Sequence, residues 1–542
     1  MKKKYFKSEK GFATLIALIM VAMLTLIGLA ALSTSDDEIS ITGNELQETR
    51  AFYAAEAGLE DAAAQLHASI DSNGTTPSYL PSGTDSINNC TFTYSTTDMG
   101  PATQNVLSNG TLAGLHALVK SYSIASTGIN HLDQGKVELS QTFEMALVPI
   151  FQFAVFYGND LEIAPGPYMK LIGRVHSNGN MWLQAGSNLR MDSYVTASGN
   201  IYHGRKGAGG VSSGDVLIKD GNGNYVSMKD GSDWLDAHDS FWYDSSVARW
   251  NGRVQDSTHG QGRLEVPLNG ASGDPHKLIE RATGNSDSYE NKATLKIINN
   301  HAYQLVGGVW NDVTTDMTNK GIINKINNKF YDGRDKKWVD VTEFDVKKLY
   351  DSGYAPSNGV VYFADNNGDF PALRINNAQE LDAPLTIASK NPVYTHGDFN
   401  SVNKKPAAIM ADAVSFLSSA WDDSQSSASK YNRIAVPTTV NASIMTGNIE
   451  TTSSHYNGGF ENLPRFLEVW SNTKFTWSGS MVCLWYSQQA NSTWNGSYYS
   501  PPIRDWSYDT DLDDPANLPP EVPMVRVFQR TGWEQQFVGY NE

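Results

Sequence analysis

Between Phe12 and Leu32 the chain carries 21 consecutive residues without a charge, and everything after them has to be built on that segment. As a helix rising 1.5 Å per residue the run would be roughly 31 Å long, the thickness of a bilayer core of roughly 30 Å. Lys2, Lys3, Lys4, Lys7 and Lys10 precede it and Asp36, Asp37 and Glu38 follow it. The basic end is therefore expected in the cytoplasm and the remainder on the exported side. A cleavable secretory signal has a shorter apolar core and a small-x-small site behind it, and Gly28-Leu29-Ala30 is a loose match buried in a longer run. Past the run, Phe52, Ala55, Leu59, Ala62 and Leu66 recur at helical spacing, with Glu48, Glu56, Glu60 and Asp61 off that stripe. This predicts one long helix over residues 12–68, amphipathic in its second half. Gly28, Gly43 and Gly58 lie inside it, each costing about 1 kcal/mol relative to Ala, and predict local bending.

The junction Lys10-Gly11-Phe12 sets a short basic leader, a Gly and a Phe directly before the apolar helix. Together with Ala30-Ala31-Leu32-Ser33-Thr34, Ile41-Thr42-Gly43-Asn44 and Ala51-Phe52-Tyr53-Ala54-Ala55-Glu56-Ala57-Gly58-Leu59, it resembles the type IV pilin-like family, and the start of PilX-type minor pilins in particular. The resemblance implies removal of leader residues 1–11 by a prepilin peptidase between Gly11 and Phe12. It further implies storage of the helix in the inner membrane, association with other pilin-like subunits, and display at the cell surface or in a pilus. One position departs from the pattern. Major pilins carry Glu at the fifth mature residue, where it neutralises a neighbour's terminal amine in lipid, and here that position is Ile16. Leaving a charged amine unpaired in lipid is costly, so the resemblance points to a low-copy tip or initiating subunit rather than a filament-building one.

A chain of 542 residues has room for one very large core or several ordinary ones behind this anchor. Its charged fraction of 18%, its 46 Gly and its aromatic content of 11% suit a β-rich exported protein. The net charge of −17 repels phosphate backbones, which argues against nucleic acid as a partner. Cys90 and Cys483 are too few for a disulfide scaffold and lack zinc-site spacing; an oxidising compartment leaves one bridge between them open, and two separate, partly buried thiols are the preferred reading.

The fold class expected is mainly β: the long N-terminal helix, a small β domain over 85–150, and an interrupted parallel β-helix with an inserted α+β region. The β-helix reading rests on a recurrence. Val175-His-Ser-Asn-Gly179-Asn-Met181 and Val195-Thr-Ala-Ser-Gly199-Asn-Ile201 are offset by 20 residues, and the flanks keep register, Met169 with Leu189 and Leu171 with Met191. That is the length of one solenoid coil. A third copy begins at Val393, with weaker echoes at Ile444 and Trp477. Coils are thus assigned to 151–204 and 380–485, with each Gly expected at a corner of positive φ and each Asn or Asp bonding the local backbone or stacking on the next coil. Residues 205–375 form the insertion, where partner contacts are sought, and 486–542 an aromatic- and Pro-rich C-terminal cap.

Candidate chemistry is sparse. Asp509, Asp511, Asp513 and Asp514 are the densest carboxylate group, a weak calcium candidate that reads better as a solvated acidic loop. The eleven His show no ligand spacing, and no GxSxG, P-loop or CxxC motif occurs, so no cofactor is expected. Trp485, Trp494 and Trp506 stand among Tyr, Asn, Ser and Gly, a composition able to stack on a surface polysaccharide or pack on a protein, or else to close the end of the solenoid. The function expected is a non-enzymatic minor pilin or pseudopilin-like subunit, acting in filament assembly or adhesion through a β-helical head. The alternative is a polysaccharide-degrading β-helix enzyme held by an uncleaved signal anchor. Coil motifs rich in Ser, Thr, Asn and His, rather than Asp, Lys or Arg, weigh against it.

Overall fold

Nothing interrupts the N-terminal helix, Lys10–Asn73, in the computed structural model, which describes residues 10–132, 135–207, 210, 212–268 and 273–537. The helix continues without a break through Gly28, Gly43 and Gly58, so none of the three melts it. Most of the leader, residues 1–9, lies outside the described residues. From Phe12 to Thr42 the helix is exposed on every side, and its apolar stretch has a mean hydropathy of 2.8. The hydroxyls of Thr25 and Thr34 turn inward to the carbonyls of Val21 (2.7 Å) and Ala30 (2.9 Å), so neither needs water.

The chain divides into two units. The first holds residues up to 102, 120–145 and from 528 onward. Here the helix changes environment: Ala51, Ala55, Leu59, Ala62, Leu66 and Ile70 are all buried. Strands Ser82–Ile87, Cys90–Asp98, His116–Asn130, Lys136–Pro149 and Met524–Phe537 follow one another in a sheet, with Phe92, Tyr94 and Ile124 in its core. Small residues set the closeness of helix and sheet. A Cβ on Gly128 would lie 2.0 Å from the Ala51 carbonyl oxygen, and one on Gly58 would lie 2.3 Å from the Ser126 hydroxyl. Gly58 is thus a contact point rather than a hinge. Arg530, from the chain's last strand, pairs with Glu60 and holds its carboxyl below the usual range. The last strand of the segment expected to form a C-terminal cap, Met524–Phe537, therefore completes the small β domain instead.

The second unit, residues 103–119 and 146–527, is made of parallel ladders. The 20-residue recurrence appears as pairing: Val175 beside Val195, Met181 beside Ile201, and Met169 and Leu171 beside Leu189 and Met191. The Asn residues stack as expected, since Asp160 Oδ1 accepts from Asn180 N and Asn180 Oδ1 from Asn200 N, both at 2.8 Å. The Gly expectation needs correction. Gly179 and Gly199 do not sit at positive φ; a Cβ there would lie 2.4 Å from Asp160 Oδ1 or Asn180 Oδ1, so they are Gly because the next layer approaches closely. Gly397 does adopt φ +77°.

The order of strands in the largest sheet is not the order of the chain. It runs Val254–Gln255, Val195–Ala197, Arg174–Ser177, Phe153–Tyr157, Met481–Cys483, Ser443–Thr446, Ala407–Ala411, Leu385–Ser389, Val360–Ala364 and Leu295–Ile298, and ends in the hairpin His301–Val306 and Val309–Asp312. The chain enters in the middle, builds outward to one end, crosses to the opposite end, and builds back until Met481 lies beside Val155. Residues 256–268 and 273–294 belong to that crossing. Asn178 holds Leu264 like a short strand, donating to its carbonyl and accepting from its N–H at 2.8 Å each. Farther along, Tyr362 donates its hydroxyl to the Ile279 carbonyl (3.0 Å). His276 is ion-paired with Glu280 (2.9 Å) and Asp412 (3.7 Å). Burial opposes the charge on His276, but the two carboxylates prevail and push its pKa up to about 9. Leu264, Leu278, Ile279 and Tyr289 of the crossing cover the sheet's outer face at Phe156, Tyr362, Met410 and Met445.

Several boundaries shift. Strands Leu295–Ile298, Lys337–Asp345, Val360–Ala364 and Pro371–Asn376 fall within the expected insertion yet belong to the ladders. The third motif copy, Val393–His396, lies in a different sheet from its two relatives, the six-stranded one of Ile323–Asp332, Lys337–Asp345, Pro371–Asn376, Val393–His396, Val414–Leu417 and Arg465–Phe466. Ile503–Tyr508 extends a third ladder, after Thr438–Asn441 and Lys474–Gly479.

Two buried carboxyls carry the head's most evident pH sensitivity. Burial pushes Glu162 up to about 7, opposed by a hydrogen bond from Tyr456 and by the Lys206 N–H and aided by nearby Glu461, whose own carboxyl is raised by burial. Glu468, buried with Ser418 as its donor, is likewise raised to about 7. Between about pH 4.5 and 7 the folded head keeps protons that the unfolded chain releases, so stability falls as pH rises through that window. Thermal melts of the full chain should therefore show a decline in Tm from pH 5 to 8 that Glu162→Gln makes shallower; equal slopes in the two proteins would refute this assignment. In the first unit, Gly128→Val should cost about 2 kcal/mol or more through overpacking, whereas Gly43→Ala, where a Cβ meets nothing within 4 Å, should stabilise by up to about 1 kcal/mol. Chemical denaturation followed by far-UV circular dichroism measures both.

Candidate functional site

The N-terminal segment is the first functional surface. Phe12 is 68% exposed and Ile16 43%, on a helix whose sides are free until it meets the sheet at Ala51. Such a surface is stable only in lipid or against other apolar helices.

The aromatic residues singled out from sequence do not form one face. Trp485 is 3% exposed, on the outer face of the large sheet with its ring 5.7 Å from that of His276, and is closed to any ligand. Trp494 is half-buried, edge-on to Tyr456 at 6.1 Å, with its Nε1 donating to the Tyr499 hydroxyl at 3.3 Å. Trp506 packs edge-on against Phe460 and Trp477 at 5.8 and 6.4 Å. These rings pack within the ladders. The four aspartates are also individually engaged. Asp509 and Asp511 bind Lys404 Nζ at 2.8 and 2.7 Å, Asp513 accepts from the Tyr508 hydroxyl at 2.8 Å, and Asp514 caps the turn Pro515–Asn517 through the Ala516 N–H at 2.9 Å. Among the described residues no three His, Cys, Asp or Glu converge as metal ligands. Cys90 and Cys483 are both buried and unbridged.

A site that sequence reasoning did not name lies on the outer face of the six-stranded sheet, a cleft of about 930 Å3. Phe344, Leu373, Ile375 and Val393 point into the core, so the alternation of a strand turns Glu343, Asp345, Arg374, Asn376 and His396 outward. Parallel pairing sets Glu343 beside Arg374 and Asp345 beside Asn376, and His396 Nδ1 lies 3.1 Å from Asn376 Oδ1. Arg374 is the fixed centre of the floor. Its Nε donates to Glu343 (3.0 Å), its Nη1 to Asp423 (2.6 Å), and its Nη2 to both carboxylates. Burial works against that charge, but the two carboxylates keep the guanidinium protonated; burial likewise raises Asp423, and the Arg374 guanidinium overcomes it to hold that carboxyl below its ordinary range. Burial and the Arg374 charge together lower the pKa of His396, whose Nε2 finds no partner in the protein. The helices Thr314–Asn319 and Val346–Asp351 supply Thr318 and Lys348 to the cleft, and Asp345 caps the second by accepting from Lys348 N at 3.0 Å. Exposed Asn324, Gln379, Asp398 and Ser419 complete the rim. The sequence signal was the alternation Glu343-Phe-Asp345 and Arg374-Ile-Asn376, two polar residues around a core residue in segments read as insertion.

Comparison with known proteins bears on the helix. A family model described as PilX N-terminal matches residues 10–60. No curated protein matches the chain. Among solved structures, the competence-associated pilin ComZ from Thermus thermophilus aligns at 11% identity with a TM-score of 0.32, covering 91% of this chain and 98% of that one; a likeness so slight carries no argument about the head. The match over residues 10–60, on a helix with an apolar membrane-length start, identifies a PilX-type N-terminal segment, which supports a place for the chain in the type IV pilin-like family.

Proposed function

We propose that the protein is a low-copy minor pilin or pseudopilin-like subunit, matured by a prepilin peptidase between Gly11 and Phe12 and held in the inner membrane until it joins a type IV pilus or related filament. The observation that carries this reading is one helix with two environments: apolar and free from Phe12 to Leu32, then packed against its own sheet from Ala51. A lone signal anchor needs only the first part, whereas a filament subunit needs a rigid helix that hands the exported domain to its neighbours. Ile16 in place of an acidic residue supports a terminal or initiating position, since no carboxylate there can pair with a neighbour's amine.

The head is read as an interrupted parallel β-helix, displayed outward for adhesion or assembly. Support comes from the in-register ladders and their Asp160, Asn180 and Asn200 stack. The reading is of binding without catalysis, because Glu343, Arg374 and Asp423 are committed to one another in the cleft floor.

N-terminal sequencing of the protein from the membrane and from sheared surface filaments tests the first part. The expected result is a chain beginning at Phe12 in both fractions, scarce relative to the major subunit, and loss of processing in Gly11→Val; a chain beginning at Met1 in the membrane overturns it. Incubation with acidic polysaccharides should release no shortened products, and their appearance would overturn the non-catalytic reading.

A further inference from the structure

We infer that the cleft over Glu343, Arg374, Asn376 and His396 is a binding site for a neutral oligosaccharide. The inference does not rest on the filament assignment. Small-molecule sites usually span about 300–1,000 Å3 and are lined mostly by apolar side chains. This cleft, at about 930 Å3, lies at the upper end of that range, yet no apolar or aromatic side chain lines it. An apolar ligand would gain nothing there.

Charge excludes a second class. Arg374 is the strongest cation in the floor, but Glu343 and Asp423 grip it from two sides, so it has little unsatisfied charge to offer a phosphate or carboxylate. The carboxylates are equally spent: Glu343 accepts from Arg374 and from Asn376, and Asp345 accepts from Lys348 N and from Asn377 Nδ2 at 2.8 Å. The floor thus presents planar polar groups held rigid by one another, with Lys348 Nζ 3.4 Å from Asp345; at the rim Asp398, which accepts from Thr439 N, keeps a carboxylate that repels anions and accepts from hydroxyls. The amides of Asn324 and Gln379 and the hydroxyl of Ser419, all exposed, add donors and acceptors at the rim. Groups that both give and receive hydrogen bonds on every side match a ligand studded with neutral hydroxyls.

Spacing favours a chain over a single sugar. The floor residues come from consecutive parallel strands, so polar groups repeat every ~4.8 Å across the cleft, close to the length of one pyranose unit. Glu343, the Arg374–Asn376 pair and His396 occupy three successive strands across the cleft, whose volume accommodates more than one unit.

The test uses the full chain in a detergent without a sugar headgroup, titrated by calorimetry with neutral hexasaccharides of glucose, mannose, galactose and N-acetylglucosamine, and with hexagalacturonate as an acidic control. At least one neutral hexasaccharide should bind saturably, with an affinity unchanged by raised salt. Asn324→Ala with Gln379→Ala, two exposed positions that leave the fold intact, should weaken it at least tenfold, and Asn376→Asp should do the same by adding an uncompensated charge to the floor. Absence of saturable binding across the neutral set, binding of the acidic oligomer alone, or full affinity in the Asn324/Gln379 double variant would each overturn the site. A change in melting temperature for Asn376→Asp is read alongside, so that a folding defect is separated from lost binding by the double variant.

Discussion

The second unit depends on one seam, the parallel pairing of Phe153–Tyr157 with Met481–Cys483. Val155 and Met481 are more than three hundred residues apart in the chain and adjacent in the sheet. The first strand begins one half of the ladders and the last strand ends the other, so without the seam two shorter stacks would each expose an edge of unpaired N–H and C=O groups. Its environment is correspondingly dry: Val155, Phe156, Met481, Val482 and Cys483 are all buried, and Ser480 donates its hydroxyl to the Phe153 carbonyl at 2.6 Å. A contact of such sequence separation forms only after a large loop has been ordered, which makes it a late event in folding and places the burden of early order on local pairings.

The crossing segment lets the seam exist. A stack that begins in its own middle must bring the chain from one end to the other, and an unpacked passage of that length would leave backbone polar groups and the sheet's outer apolar face unsatisfied. The Asn178–Leu264 pair, the His276–Asp412 ion pair and the Tyr362–Ile279 hydrogen bond fix the passage at successive layers, and its apolar residues seal the face it crosses. The ends are closed separately, by the antiparallel hairpin His301–Asp312 at one and the helix Trp242–Trp250 near the other, each blunting an edge that a parallel ladder leaves open.

How much of this the sequence reveals follows from where the repeat is regular. The membrane-length run and the helical stripe through Leu66 were legible because their periods are strict, as was the 20-residue pairing of Val175 with Val195. In the second half, Ile409 pairs with Ile444 and Ile444 with Met481, 35 and 37 residues apart, because loops of different length leave each layer. No fixed period survives, and the layers between Leu295 and Asn376 read as insertion. The copy at Val393 misled for a related reason: the motif of an apolar residue, Gly and Asx suits any strand leaving the stack, so it recurs on two sheets. The seam itself leaves no local trace, since Phe153–Tyr157 reads only as a buried strand. The binding cleft was invisible for the same reason, its members being scattered over Glu343, Arg374 and His396.

The position of the seam also decides what the head can present. Within the second unit the Pro523 carbonyl accepts from Ile150 N at 2.9 Å, just before the middle strand Phe153–Tyr157 of the large sheet. Layers of the ladders carry loops and short helices between strands that stay paired. The two helices that wall the cleft, Thr314–Asn319 and Val346–Asp351, are additions of this kind, set between strands whose pairing they leave intact. Variation in such segments would change what the cleft accepts while the ladder beneath, fixed by Arg374 and its two carboxylates, keeps its geometry. The rigid part of the site belongs to the fold and the adjustable part to the insertions, an arrangement suited to a surface whose binding partner changes faster than its scaffold.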